Sequence, residues 1–183
     1  MAFDPAELWN NRRMPQPLFV ITGAAGAGKT TAGLMVAREE TRVIVIDGDV
    51  IARGSTSAAV RDYDAYWHHV ISIAEQIAAN NVAPLIAGLC RPEQILANDL
   101  TGFSHLALVA LTCSPEVRHS RAESRAGENE WNTPLEEHNE IDRTLRDYQI
   151  PPPHTMTIID TSEITTHEVG RRVLNWLNSE LSR

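Results

Sequence analysis

Short apolar runs alternate with amphipathic stretches along most of this chain. Five runs lack helical spacing and are too short for helices, which predicts buried strands. They cover residues 18–22, 42–47, 82–88, 105–113 and 155–160. Helical patterns separate them, at 29–40, about 57–80, 92–100, from Pro115 onward, about 134–147 and within 161–181. This alternation predicts an α/β fold, a three-layer sandwich in which helices cover both faces of a five-stranded parallel sheet.

We expect one domain, because residues 18–183 contain no repeat or linker and a chain of 183 residues suits a single core. Residues 1–17 predict an arm or short extra helix. No apolar run approaches the ~20 residues that span a bilayer, and the first residues lack the apolar region of a signal peptide. The two cysteines form no disulfide framework. These features predict a cytoplasmic protein with free thiols and no membrane partner.

The charge balance limits the partners of the chain. There are 24 acidic against 16 basic residues, which gives a net charge of −8. Such a surface repels polyanions, so polynucleotide binding is not expected, although a local arginine cluster could still hold a small anion.

Lys29 is the only lysine in the chain, and it lies in the segment GAAGAGKT at 23–30. This segment fits the phosphate-binding pattern G-x-x-x-x-G-K-[ST] between a strand and a helix. Its glycines let the backbone wrap an anion, its lysine reaches the β- and γ-phosphates, and its threonine hydroxyl serves Mg²⁺. The residues expected to contact the nucleotide are Gly23, Ala24, Ala25, Gly26, Ala27, Gly28, Lys29, Thr30 and Thr31. Because there is no second lysine, the N-K-x-D motif of Ras-type GTPases is excluded.

A second group of polar residues follows the second strand, where VIDGDV places Asp47 and Asp49 on either side of a glycine. The carboxyl ends of parallel strands carry the ligand sites of such sheets. One carboxylate here can hold Mg²⁺ and the other can accept a proton from an attacking hydroxyl. The alternative is an Asx turn that caps a helix. Arg53 follows one helical turn later, where it can pair with Asp49 or a substrate anion.

The P-loop, the D-x-D turn and the length of the chain resemble the small P-loop kinases, among them the shikimate, gluconate, adenylylsulfate, nucleoside and nucleotide kinases. The resemblance covers residues 18–182 and implies the strand order 2-3-1-4-5. It implies that Thr30 and Asp47 serve Mg²⁺ and that Asp49 binds or deprotonates the substrate hydroxyl. No acid follows the third strand, which favours Asp47 for the metal.

The resemblance also indicates where the acceptor would bind. The end of the third strand carries substrate contacts in these kinases, and Gly88 and Arg91 match that pattern loosely. The preceding helix lies in the acceptor region by the same analogy. In that helix Trp67 falls on the predicted core stripe, whereas Tyr66 and His69 face elsewhere and are candidates for the pocket.

A lid is implied at about 118–135. Arg118, Arg121 and Arg125 share one helical face ahead of a polar loop, as in the lid of nucleotide kinases. Such arginines neutralise the transferring phosphoryl group, and Arg125 with Arg121 are the candidates for this role. The alternative is a solvated helical face.

These features predict an ATP- and Mg²⁺-dependent kinase that phosphorylates a hydroxyl of a small-molecule acceptor. Lys29, Asp49, Arg121 and Arg125 are the predicted catalytic residues. One alternative is a nucleoside monophosphate kinase, with Arg53 and Arg91 on the acceptor phosphate. Another, of a different class, is a nucleotide-dependent switch that acts with a protein partner.

Overall fold

The computed structural model describes residues 14–54, 63–123 and 135–183. Its strands are β1 Leu18–Thr22, β2 Val43–Asp47, β3 Ala83–Ala87, β4 Leu106–Thr112 and β5 Thr155–Asp160. Its helices are α1 Lys29–Glu39, α2 Gly48–Gly54, α3 Tyr63–Ala78, α4 Pro92–Leu96, α5 Pro115–Glu123, α6 Leu135–Asp147 and α7 Thr166–Glu180. Every predicted strand is therefore present, within one residue at each end. Helix α2 was not predicted as a separate helix, and α4 is shorter than its pattern suggested.

The five strands form one parallel sheet in the order β2-β3-β1-β4-β5, as the resemblance implied. Strand β1 pairs with β3 through Val20 and Ile86, and with β4 through Ile21 and Val109. Because β1 is central, the turn that follows it lies between the turns that follow β3 and β4. The P-loop thus occupies the middle of the carboxyl edge.

Two apolar cores lie on the two faces of the sheet. Leu18 and Val20 of β1 point to one face, where the buried residues of α3 and α6 pack, including Trp67 as predicted. Phe19 and Ile21 point to the other face, against α1 and α7. The alternation of side chains along a strand produces this division. Within the described ranges, no helix combines the length and the apolar character that crossing a membrane requires.

Gly23, directly after β1, makes a close backbone contact that positions the P-loop. Its φ is +149°, and a Cβ at this position would overlap the carbonyl oxygen of Leu111 in β4. Any other residue would have to push β4 aside or change the course of the loop.

We therefore expect Gly23→Ala to lower the free energy of unfolding by about 2–4 kcal/mol, because strain and overlap act together. Urea denaturation measures this. Gly102→Ala is the matched control, since the nearest atoms to a Cβ there belong to the side chain of Glu75, at 3.6 Å and beyond. Equal stability of the two variants would contradict the prediction.

Candidate nucleotide-binding site

The loop between β1 and α1 has the backbone shape of an anion cradle. Gly23, Gly26 and Gly28 have φ values of +149°, +78° and +105°, which L side chains rarely adopt. Gly28 is the N-cap of α1 and has no side chain to cap the first N–H groups. These groups, at the positive end of the helix, suit a phosphate. The loop therefore has the features that its motif predicts.

Lys29 is nearly buried at the start of α1, with 9% of its surface exposed. Its Nζ donates a hydrogen bond to the carbonyl oxygen of Ala24 at 3.2 Å. Burial lowers the pKa of Lys29, while the nearby carboxylates of Asp49 and Asp47 act in the opposite direction. The structure thus brings together the lysine and the two acids that the sequence singled out.

Asp47 caps helix α2, so the alternative role suggested by its sequence is realised. Its Oδ1 accepts hydrogen bonds from the N–H groups of Asp49 at 2.9 Å and Val50 at 3.2 Å. A capping carboxylate can still offer its second oxygen to a cation. Asp49 and Thr30 are exposed beside the cradle. The hydroxyl of Thr30 and the carboxylate of Asp47 are hard oxygen donors, which fit Mg²⁺.

Among residues 14–54, 63–123 and 135–183, no group of three or more His, Cys, Asp or Glu side chains could by itself hold a metal ion.

The predicted acceptor residues occupy different environments. Tyr66 is 8% exposed and belongs to the core, so the prediction that it faces away from the core is wrong. Its hydroxyl donates to the carbonyl oxygen of Gly48 at 2.6 Å. His69 and Arg91 are exposed, whereas Gly88 is buried against the ring of Trp67.

Two predicted residues, Arg53 and Arg125, lie partly or wholly outside the part of the chain that the structure describes. Arg53 falls within α2, but its side chain lies outside the described part of the structure. Arg125 lies outside the described residues altogether. The substrate role of Arg53 and the catalytic role of Arg125 remain predictions.

Arg118 and Arg121, the first two arginines of the expected lid, both reach the P-loop. Arg118 is completely buried and donates to the carbonyl oxygen of Ala25 at 2.9 Å. Arg121 donates to the carbonyl oxygens of Gly26 at 3.0 Å and Thr161 at 2.7 Å. They share one face of α5, as their spacing predicted, and that face lies against the loop. Arg118 is neither part of a solvated face nor an exposed lid residue.

His138, on α6, belongs to this site although the sequence did not reveal it. It is 4% exposed, and its Nδ1 accepts a hydrogen bond from the N–H of Ala25 at 3.5 Å. Burial, with smaller contributions from Lys29 and Arg118, lowers the pKa of His138 to about 4. The ring is therefore neutral at physiological pH. One sequence signal could have indicated its burial, because His138 shares the buried stripe of an amphipathic helix with Ile141 and Leu145.

Comparisons with known proteins agree on the fold. No family model and no curated protein matches the chain. The unliganded structure of a sugar kinase from Janibacter sp. HTCC2649 matches with a TM-score of 0.67 and 19% identity, over 90% of this chain and 95% of that one.

An APS kinase from Mycobacterium tuberculosis, in complex with AMPPNP and APS, matches with a TM-score of 0.55 and 21% identity, over 90% of this chain and 99% of that one. A chain of the Pnkp1/Rnl/Hen1 RNA repair complex matches with a TM-score of 0.61 and 17% identity, over 78% of this chain and 50% of that one. The chain thus has the P-loop kinase-like fold that the resemblance implied.

The buried state of His138 predicts a loss of stability in acid. The unfolded state takes up a proton near the usual pKa of about 6.5, whereas the folded state resists protonation until about pH 4. The free energy of unfolding should therefore fall by about 2–3 kcal/mol between these two pH values. Urea denaturation at a series of pH values measures the fall.

The control is His138→Phe, in which this part of the pH dependence should disappear. His154, whose pKa is also lowered by burial, titrates in both proteins, so the difference between them isolates His138. Identical pH profiles would refute the assignment.

Proposed function

We propose that this protein is an ATP-dependent kinase that transfers the γ-phosphoryl group to a hydroxyl of a small-molecule acceptor. The observation that carries the proposal is the arrangement of charges at the carboxyl edge. Lys29 is buried at the P-loop, and the carboxylates of Asp49 and Asp47 lie near enough to perturb its pKa. A phosphate site thus borders a carboxylate that can accept a proton.

In this reaction the P-loop amides and Lys29 bind the phosphates. Thr30 and Asp47 would hold Mg²⁺, which supplies charge neutralisation when bound. Asp49 orients the acceptor hydroxyl and takes its proton as the new O–P bond forms and the bond to the β-phosphate oxygen breaks. Arg125 would stabilise the charge on the transferring group, whereas the guanidinium of Arg121 binds the carbonyl oxygens of Gly26 and Thr161.

The acceptor is best supported as a small molecule with a free hydroxyl. Two structural neighbours are named as a sugar kinase and an APS kinase, and the net charge of −8 disfavours a polyanion. A nucleoside monophosphate kinase remains the alternative, although the Asp47–Asp49 turn would repel a phosphate on the acceptor.

Cys90 and Cys113 are free and buried thiols, which favours a reducing cytoplasm as the location of the protein.

Acceptor-dependent formation of ADP tests the proposal. The panel includes sugars, sugar acids, nucleosides, nucleoside monophosphates, shikimate-like polyols, aminoglycosides and a 5′-hydroxyl oligoribonucleotide. We expect turnover with one class of small acceptor, and a loss of about 10²–10⁴-fold in Asp49→Asn because general-base assistance disappears. The control is Asp99→Asn, which makes the same change at an exposed acid elsewhere in the chain. Asp99 accepts a hydrogen bond from the N–H of Thr101.

Other outcomes would change the assignment. Turnover that requires a monophosphate and ignores Asp49 would indicate a nucleotide kinase, and turnover with the oligoribonucleotide alone would indicate a polynucleotide kinase. Slow hydrolysis unaffected by any acceptor would indicate a nucleotide-dependent switch.

Because Lys29 is the only lysine in the chain, chemical labelling can test nucleotide binding directly. Its lowered pKa leaves more of the amine neutral and reactive near pH 8. ATP with Mg²⁺ should slow acylation of Lys29 about tenfold or more by an N-hydroxysuccinimide ester, since its amine is then covered by phosphate. Mass spectrometry of the peptide that contains Lys29 measures the rate.

Adenosine, which has no phosphate, is the matched control ligand and should protect poorly. If neither ATP nor GTP protected the lysine, a nucleotide at this loop would be ruled out.

A further inference from the structure

The two peptide groups that flank the Cα of Ala25 are each held by a buried side chain, from helices that follow the P-loop by about a hundred residues. Arg118 of α5 donates to its carbonyl oxygen at 2.9 Å. His138 of α6 accepts from its N–H at 3.5 Å. On the next residue, Arg121 donates to the carbonyl oxygen of Gly26. The middle of the P-loop is therefore held in place by side chains of α5 and α6.

The burial of Arg118 indicates that its hydrogen bond to Ala25 is a structural requirement and not an incidental contact. A buried guanidinium is costly unless its N–H groups are satisfied. Those of Arg118 bind the carboxylate of Asp142 at 2.6 Å, the amide oxygen of Asn139 at 3.1 Å and the carbonyl oxygen of Cys113 at 3.1 Å, in addition to Ala25. An aliphatic side chain could fill the same space but could not join the P-loop, β4 and α6.

Asp142 fixes the far end of this arrangement. Its Oδ1 also accepts a hydrogen bond from the N–H of Cys113 at 3.0 Å, and its Oδ2 accepts one from Arg146 at 3.0 Å. Arg146 in turn pairs with Asp160 at the end of β5. The guanidinium of Arg118 thus has a fixed position relative to the ends of two strands.

We propose that Arg118 and His138 are positioning residues of the nucleotide site, which hold the backbone on either side of the Ala25 Cα so that the loop keeps its phosphate-binding shape before the nucleotide arrives. The inference rests on the proposed function only in taking the anion to be a nucleotide phosphate. Both residues act through the loop backbone. A preformed loop binds its ligand more tightly because less ordering remains to be done on binding.

The first experiment needs no nucleotide. Amide hydrogen exchange of residues 23–28 is compared in the wild type, Arg118→Met, His138→Phe and His138→Asn. We expect exchange about tenfold faster in Arg118→Met and His138→Phe, because the held peptide opens more often. His138→Asn should stay close to the wild type, since its amide oxygen can replace Nδ1 as an acceptor. Arg171→Met is the matched control, because it removes an exposed arginine of α7 that bonds to Glu168 of the same helix.

The second experiment measures the dissociation constants of ATP and ADP by calorimetry well below the melting temperature. Arg118→Met should weaken both by about tenfold, the effect of losing one well-placed hydrogen bond, and Arg171→Met should change neither by more than about twofold. If Arg118→Met fails to fold, Arg118→Lys keeps the charge but cannot bridge the same acceptors, and it carries the same expectations.

These results separate the two proposals. Faster exchange at 23–28 in a protein that binds no nucleotide would support the positioning role and overturn the proposed kinase. Unchanged exchange in both Arg118→Met and His138→Phe would overturn the positioning role, even if the kinase reaction is found. The same holds if Arg171→Met alters the loop as much as Arg118→Met does.

Discussion

The candidate nucleotide site depends on the contact between the backbone at Gly23 and the carbonyl oxygen of Leu111. This contact leaves no room for a side chain, so the P-loop begins directly beside the end of β4. The residues just beyond that end, from Cys113 to the first turn of α5, become neighbours of the loop. Arg118 can then reach Ala25 and Cys113 with one guanidinium. A loop that left β1 farther from β4 would lose this support.

The carbonyl oxygens of a P-loop need hydrogen-bond donors, and in this structure arginine side chains provide them. When the N–H groups of a loop turn toward an anion, its carbonyl oxygens turn toward the protein and need donors there. Ala25 and Gly26 receive them from Arg118 and Arg121. In a chain with a net charge of −8, these cations and Lys29 collect at one edge of the sheet. The neutral ring of His138 adds a contact without adding another positive charge.

Much of the architecture could be predicted because the strands are continuous apolar runs and the P-loop has a distinctive local motif. The strand order could not be read from the residues and came from the resemblance. Helix α2 was missed because its residues follow the Asp47–Asp49 turn too closely to show a period. Tyr66 was misassigned because α3 buries a wider stripe than its spacing suggested. His138 was missed because its partner, Ala25, is 113 positions away, and no local pattern records such a pairing.

The hydrogen bond between Tyr66 and Gly48 has a consequence for redesigning this scaffold. Gly48 lies between the two acids of the turn, and a Cβ there would come within 2.9 Å of the Tyr66 hydroxyl. The course of the turn is thus set by a core side chain, and any side chain placed at Gly48 would have to displace the Tyr66 hydroxyl. Diversity placed at exposed positions, such as His69 and Arg91, leaves the core and this turn intact. Variation of the protein surface can therefore be separated from variation of the turn itself.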